Sequence, residues 1–271
     1  MSSRHTEFTG SIPEKYDEHL GPLFFEDYAA DLARRVAAGK PGRVLEVACG
    51  TGLSTRALRD ALPDAEIIAT DLNDAMLDYA RRARGPIATF EQADASELPY
   101  DAASFAQVVC QFGIMFFPDK VRAAGEVARV LEPGGRFVFN VWDSLEANPI
   151  PRVAVETLNG SALTRYFPDG PPQFLRMPFG YHDTAEIERM LGAAGFSDVE
   201  VESVDLRVAR PSVRDVTTGL LEGNPGVHEL RAAGPEAFEE IRAAVIRALT
   251  EAFGDAPMVA DLRAIVISAG S

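Results

Sequence analysis

Residues 44–54 read Val-Leu-Glu-Val-Ala-Cys-Gly-Thr-Gly-Leu-Ser, an apolar run that passes straight into glycines and then into a helical pattern. The run over 43–48 has the composition of a strand buried on both faces of a parallel sheet. Cys49-Gly-Thr-Gly52 predicts a tight turn, and a helix is expected over 53–61. Glycine brings no Cβ, so backbone can approach a ligand closely, and the N–H groups opening the next helix face the same ligand. By itself such a turn indicates a nucleotide crevice and no particular chemistry.

Outward from this turn the same rhythm repeats. Strands are expected at 66–70, 87–91, 106–111 and 136–142, and helices over 24–38, 73–84 and 120–131, the last stopped by Pro133, Gly134 and Gly135. Strands alternating with helices imply a parallel sheet covered on both faces, with right-handed crossovers. Residues 1–20 read as a polar arm or short helix. After Trp142 the rhythm breaks: 143–180 carries prolines, glycines and scattered aromatics and reads as a loop-rich insertion. A helix capped by Asp183 follows over 184–194, then a strand at 199–208, a mostly helical stretch over 213–254 broken near Gly223 to Gly226, and a last strand at 262–268. The long connection before that last strand is expected to act as a lid or binding element.

The 271 residues suffice for one large α/β domain with a cap. A formal net charge of −15 argues against DNA, RNA and anionic membrane surfaces as partners. Arg34, Arg35, Arg81, Arg82 and Arg84 are interleaved with apolar helix positions and read as solvated faces. Cys49 and Cys110 sit in apolar runs at strand ends, and no secretory leader is seen, so buried, reduced thiols and a cytoplasmic location are expected. No apolar run reaches the roughly 18 residues of a membrane span. Neither His nor Cys falls at ligand spacing, so no metal is expected. Monomer and homodimer both remain open.

Four further residues narrow the chemistry. Asp71 ends the second strand about twenty residues past the glycine turn, where a carboxylate can accept two charge-assisted hydrogen bonds from a ribose diol. The plain alternative is a helix N-cap, a role Asn73 is equally placed to fill. Asp94, within Gln92-Ala-Asp-Ala-Ser96, can accept from an adenine amino group, or simply shape a turn. Gln111 and Phe112 end the fourth strand on the same expected rim.

Together VLEVACGTG, ATDLNDAML, QADASELPYDAASFAQVVCQFGIMFF and EVARVLEPGGRFVFNVW resemble the successive motifs of class I S-adenosylmethionine-dependent methyltransferases, nearest to the ubiquinone/menaquinone-biosynthesis type that includes many small-molecule enzymes. The likeness is strong over residues 40–145; FTGSIPEKYDEHLGPLFFEDYA and LRAIVISAG also fit that group. It implies a Rossmann-like, doubly wound α/β fold whose seven-stranded, mostly parallel sheet has an antiparallel last strand, with helical and loop insertions capping the carboxyl edge. It implies a single domain over 1–271, with an N-terminal helical arm (1–40), a cofactor-binding core (41–142) and substrate-cap insertions (143–182 and 209–257).

The cofactor implied is S-adenosylmethionine, and the partner a small-molecule methyl acceptor. By the same resemblance Glu46 helps anchor the methionine amino end, and Ala48, Gly50 and Gly52 line the turn beneath methionine and ribose. Asp71 holds the ribose diol, Leu72 and Met76 pack on the adenine, and Asp94 and Ala95 meet its edge. Gln111 and Phe112 lie near the methionine carbons, and Tyr16 enters from the arm. Two positions depart from the pattern: the motif acid is Glu46 where Asp is commoner, and Ala48 replaces the first glycine, so the turn must accept a Cβ.

Methyl transfer asks little of a protein. The sulfonium is already activated, so a nucleophile need only be held in line at about 3 Å, with water excluded. A base helps where the nucleophile carries a proton of high pKa. His182 and His228 are the candidate bases, with surface histidine as the plain alternative; His19 lies nearer Tyr16. Aromatic faces attract a cationic sulfonium, which gives Tyr16 and Phe116 a role. Trp142, Tyr166, Phe174 and Phe179, with Phe167, are candidate acceptor-pocket walls or simple core. The expected reaction is methylation of oxygen, nitrogen or carbon on a small molecule. The alternative on the same fold is a non-methylating step such as a pericyclisation. A nicotinamide dehydrogenase is disfavoured by A-C-G-T-G followed by L-x-P-G-G-R. A binding protein without catalysis would have lost the glycine turn or Asp71. Base methylation is disfavoured because Gln-Phe-Gly-Ile stands where Asn-Pro-Pro-Tyr is common.

Overall fold

In the computed structural model, which describes residue 8 and residues 10–168, 170–210 and 212–270, the chain opens with α1 (Ile12–Lys15), a π-helical run over Tyr16–Phe25 and α2 (Glu26–Ala38). There follow β1 (Arg43–Val47), α3 (Leu53–Ala61), β2 (Glu66–Asp71), α4 (Asp74–Arg84), β3 (Thr89–Gln92), β4 (Phe105–Gln111), α5 (Lys120–Val130) and β5 (Leu131–Trp142). The remainder is α6 (Pro149–Leu158), α7 (Thr184–Ala193), β6 (Asp198–Arg210), α8 (Val213–Glu222), α9 (Val227–Ala232), α10 (Pro235–Phe253) and β7 (Met258–Gly270). The first seven residues of the expected arm, with residue 9, lie outside the described residues.

The strands form one seven-stranded sheet in the order β3-β2-β1-β4-β5-β7-β6. Pairing is parallel from β3 through β2, β1 and β4 to β5, and β7 runs antiparallel to β5. This is the expected Rossmann-like sheet with its antiparallel last strand. The order reverses between β1 and β4, and in open α/β sheets the crevice outside the strand carboxyl ends at such a switch point binds the ligand.

The chain divides into two compact units. The first, here the sheet unit, comprises Phe25–Asp143, Tyr181–Val204 and Ala264–Ser271. Its core joins Leu32 and Val36 of α2, Leu58 of α3 and the strand residues Val44, Ile67, Val109, Val138 and Val266. Each such side chain contributes about 1.5–3 kcal/mol on burial, and this packing fixes the β1 turn in place. The second, the insertion unit, comprises Met1–Phe24, Ser144–Gly180 and Asp205–Arg263. Ile150, Leu158, Leu221, Ile241, Val245 and Leu249 are buried in it. There Asn148 is fully buried and exchanges two hydrogen bonds with the Arg263 backbone, its Nδ2 donating at 3.1 Å and its Oδ1 accepting at 3.0 Å. Glu222 of α8, 6 % exposed, meets Lys15 at 3.0 Å, Arg231 at 2.9 Å and Arg242. Leu20 and His19 lie directly against two glycines of the same stretch: a Cβ on Gly219 would stand 2.8 Å from Leu20 Cδ2, and one on Gly223 3.1 Å from Leu20 Cδ1.

Several elements differ from their sequence expectation. The stretch 143–180 is not loop alone, since α6 occupies ten residues of it. Pro149 and Pro151 hide this helix from a pattern reading, although proline suits a first helical turn, where its missing N–H has no partner to lose. Helix α5 ends at Val130, and β5 begins at once, so Pro133, Gly134 and Gly135 lie inside the strand. The register shifts between Phe105 and Gln107, from a partner at Leu131 to one at Arg136, and that irregularity absorbs the proline. Strands β6 and β7 are each 13 residues long and outrun their expected spans. The two strands also meet through side chains: Arg263 forks onto Asp205 at 2.7 and 3.1 Å. Cys49 stands in the turn rather than at a strand end; it and Cys110 are free and buried. Among the described residues no helix is long and apolar enough to cross a membrane.

Candidate cofactor site

At the carboxyl end of β1 the chain makes three left-handed residues, Ala48 (φ 56°), Gly50 (φ 57°) and Gly52 (φ 77°). The turn therefore accepts the Cβ that the sequence had placed in question. Ala48 has room because Gly113, after β4, carries no side chain toward it. A Cβ on Gly50 would meet nothing within 4 Å, so the backbone there faces open space. Arg84 Nε donates to Thr51 O at 3.1 Å and ties the turn to α4.

Beneath the turn Glu46 is fully buried. One of its oxygens accepts from the Ser54 hydroxyl, the other from Thr55 Oγ1 at 2.5 Å. Burial pushes this carboxyl up to about 7, against the pull of the two hydroxyls and with a smaller push from Asp71. Glu46 thus fastens β1 to the first turn of α3. Ser54 and Thr55 escaped the sequence reading; hydroxyls opening a helix eight and nine residues past a buried-strand acid were the available signal.

Asp71 ends β2. Its Oδ2 accepts the Gly50 N–H at 2.8 Å and its Oδ1 the Asn73 N–H at 2.8 Å. The α4 cap falls to Asn73, whose side chain accepts from Ala75 N at 2.9 Å and Met76 N at 3.2 Å. Burial raises the Asp71 pKa, while its backbone donors lower it. Each carboxylate oxygen keeps a second lone pair, enough for a diol. Next to it Leu72 is 60 % exposed, whereas Met76 is buried. Asp94 is exposed and half-buried Ala95 follows it; Asp94 Oδ1 accepts from Ser96 N at 2.8 Å and Ser96 Oγ at 2.7 Å, which shapes a turn and lowers its pKa.

The end of β4 is built differently. Gln111 Nε2 donates to Phe25 O at 3.2 Å, while its Oε1 is buried without a partner. Phe112 is left-handed (φ 50°), and its N–H donates to Asn140 Oδ1 at 2.9 Å. Its ring stacks on Trp142, centroids 4.0 Å apart and planes 9° off parallel. Tyr28 meets both rings edge-on at 5.5 and 5.3 Å, and Phe25 tilts against them at 5.7 and 6.2 Å. Trp142, named as an acceptor contact or as core, is 4 % exposed within this cluster. Phe116 is half-buried in the short 3-10 turn Ile114–Phe116, and His182 is half-buried just before α7.

Glu46, Ala48, Gly50, Gly52, Asp71, Leu72, Gln111 and Phe112 are thus gathered at the carboxyl ends of β1, β2 and β4, with Met76, Asp94 and Ala95 in the same unit. Tyr16, Tyr166, Phe174, Phe179 and His228 belong to the insertion unit. Within it the Phe8 ring lies edge-on to Tyr16 at 5.9 Å and to Phe174 at 6.2 Å. Phe174 and Phe179 are buried, Tyr166 donates to Glu240 at 2.5 Å, and His228 is exposed on α9.

Bare backbone over Gly50, a rim carboxylate and an exposed leucine beside it suit a ligand with a ribose and a flat base. The methyltransferase-domain family matches residues 44–135. Demethylmenaquinone methyltransferase of Deinococcus radiodurans is 43 % identical over 110 residues, 40 % of this chain and 46 % of that protein. The chain therefore spans about half the length of that relative. Ubiquinone/menaquinone biosynthesis C-methyltransferase of Idiomarina loihiensis is 31 % identical over 180 residues, 60 % of this chain and 69 % of that protein. Phosphoethanolamine N-methyltransferase 2 of Haemonchus contortus, solved with S-adenosyl-L-methionine, shares the fold with a TM-score of 0.61 at 17 % identity, covering 100 % of this chain and 60 % of that one. Sheet order, glycine turn, rim acid and these likenesses agree: the chain belongs to the class I S-adenosylmethionine-dependent methyltransferases of the ubiquinone/menaquinone-biosynthesis type.

Proposed function

We propose that this protein transfers a methyl group from S-adenosylmethionine to a small molecule, with the cofactor laid across the carboxyl ends of β1, β2 and β4. The observation that carries this reading is the pairing of Asp71 with the open backbone of Gly50, whose N–H donates to its carboxylate at 2.8 Å; a carboxylate held on the turn in this way supports ribose binding. Leu72, and Met76 below it, offer an apolar seat for the base, and Asp94 with Ala95 stands at its edge. Glu46 acts through Ser54 and Thr55 to hold the turn, and Gln111 and Phe112 wall the methionine side. When bound, the cofactor supplies an electrophilic methyl group. The chain's residues orient it and keep water away, and no residue need carry charge in a covalent step.

On the acceptor side, Phe116 and Trp142 of the sheet unit are the proposed contacts. His182, in the same unit, is the proposed base. A non-methylating step on this scaffold gains no support, since the relatives above are methyltransferases by name.

The test is calorimetric titration with S-adenosylhomocysteine beside NAD, followed by transfer of labelled methyl from S-adenosylmethionine into a panel of phenols, amines and carboxylic acids. Binding of S-adenosylhomocysteine alone, and label in at least one acceptor, is expected. Failure to bind S-adenosylhomocysteine would overturn the reading.

A further inference from the structure

We infer that Asn140, on β5, is a positioning residue that sets the methionine-side wall by holding Phe112 in its left-handed conformation. The inference rests on the reading that Phe112 borders the cofactor.

Asn140 is fully buried and opposite Gln111 in the β4–β5 register. A regular strand would carry its side-chain amide as a liability in a core this apolar, and here Nδ2 has no hydrogen-bond partner. A buried donor left unpaired costs stability, so an apolar residue of similar size would make a better core. The Oδ1 end shows what the amide provides. It accepts the Phe112 N–H at 2.9 Å, and the Asn140 carbonyl accepts the same N–H at 3.2 Å. The strand ladder thus continues one residue past Gln111, with the side chain adding a second acceptor at its last step.

At that step Phe112 turns left-handed, a conformation that costs a β-carbon residue about 1–2 kcal/mol when nothing holds it. Two consequences follow from the turn. The Phe112 ring lies flat on Trp142. The next residue, Gly113, is brought so close to Ala48 that a Cβ on it would be 2.6 Å from the Ala48 Cβ. One amide therefore fixes both an aromatic wall and the contact between the β4 end and the glycine turn.

Trp142 is the chain's only tryptophan, so its emission reports on this stack. Asn140→Ala is expected to change Trp142 emission in the free protein and to raise the dissociation constant for S-adenosylhomocysteine about tenfold, the loss of one hydrogen bond at a buried amide. Asn140→Asp, measured at pH 6, keeps an oxygen for the Phe112 N–H and should restore both. Val127→Ala, in the core of α5 away from this stack, serves as the matched destabilised control and should lower Tm while moving neither. In the unaltered protein the Phe112 amide should exchange slowly with deuterium. The inference fails if Asn140→Ala changes only Tm, as the control does, or if the Phe112 amide exchanges as fast as a loop amide. If the unaltered protein binds no S-adenosylhomocysteine, the cofactor reading fails instead, and emission and exchange still decide the role of Asn140.

Discussion

Ala48 and Gly113 share one space: the Ala48 methyl stands where a side chain on Gly113 would have to go, 2.6 Å from the position its Cβ would take. Ala48 is left-handed, a conformation glycine adopts freely and alanine does not. Gly113, by contrast, has an ordinary negative φ of −99°, so only contact excludes a side chain from it.

The pair should therefore be coupled. Gly113→Ala is expected to destabilise by about 2 kcal/mol through overpacking against Ala48 and Cys110. Ala48→Gly should stabilise by about 1 kcal/mol through relief of the left-handed strain. In the double variant the Gly113→Ala cost should shrink by about 1 kcal/mol, since the nearest atom is gone. Urea denaturation of the four proteins measures this, and strict additivity would contradict the shared-space account.

Asp71 carries a structural load besides its proposed ligand role. Replacing it by Ala leaves the Gly50 and Asn73 N–H groups without their acceptor, and a loss of about 2 kcal/mol is expected. The dissociation constant for S-adenosylhomocysteine should rise on the order of a hundredfold as two charge-assisted hydrogen bonds are lost. Asp71→Asn keeps one acceptor and should fall between. Calorimetric titration at a temperature below the unfolding range of each variant separates affinity from stability.

Glu46 links the fold to pH. Its carboxyl is pushed from 4.5 up to about 7 by burial, so the folded state favours its proton. The stability this provides is complete below about pH 4.5 and is lost as pH rises through about 7, about 3 kcal/mol in all. Glu46→Gln removes the titration. The stability difference between the two proteins, followed by urea melts from pH 4.5 to 8, should fall steadily; a constant difference would show that Glu46 is ionised throughout.

Glu222 behaves in the opposite sense. Burial raises its pKa, but the Lys15 ammonium and the Arg242 guanidinium outweigh that and hold it below the usual carboxylate range. Its contribution is present above the unfolded value and is lost as pH falls through the lower folded value. Glu222→Gln leaves three cations around a neutral group and should cost about 3 kcal/mol, whereas Arg231→Met, which removes the most exposed partner, should cost about 1 kcal/mol. Thermal melts at pH 7 give the ranking, and equal losses would count against it.

The sheet and its rim were legible because β1, β2 and β4 are mostly apolar runs, β1 leading into the glycine turn and β2 and β4 ending in Asp71 and Gln111. Asn73 could be weighed as a cap because cap chemistry is local. What was hidden depends on partners remote in sequence. Nothing near Asn140 marks it as the acceptor for Phe112, 28 residues earlier. Nothing near Ala48 shows that Gly113 makes its methyl tolerable. Helix α6 was masked by its own prolines, and Pro133-Gly-Gly135 looked like a stop because a strand irregularity cannot be seen without the register of its neighbour.

Gly219 of α8 and Gly223 at its end, both against Leu20, have a practical consequence for anyone exchanging segments among relatives. A chimaera that imports a foreign arm onto this helix must bring a residue that fits against Gly219 and Gly223, and one that imports a foreign helix with alanine at position 219 forces the Leu20 side chain to shift. Arm and helix are thus inherited as a matched set, and a crossover point placed anywhere between residues 20 and 219 separates them.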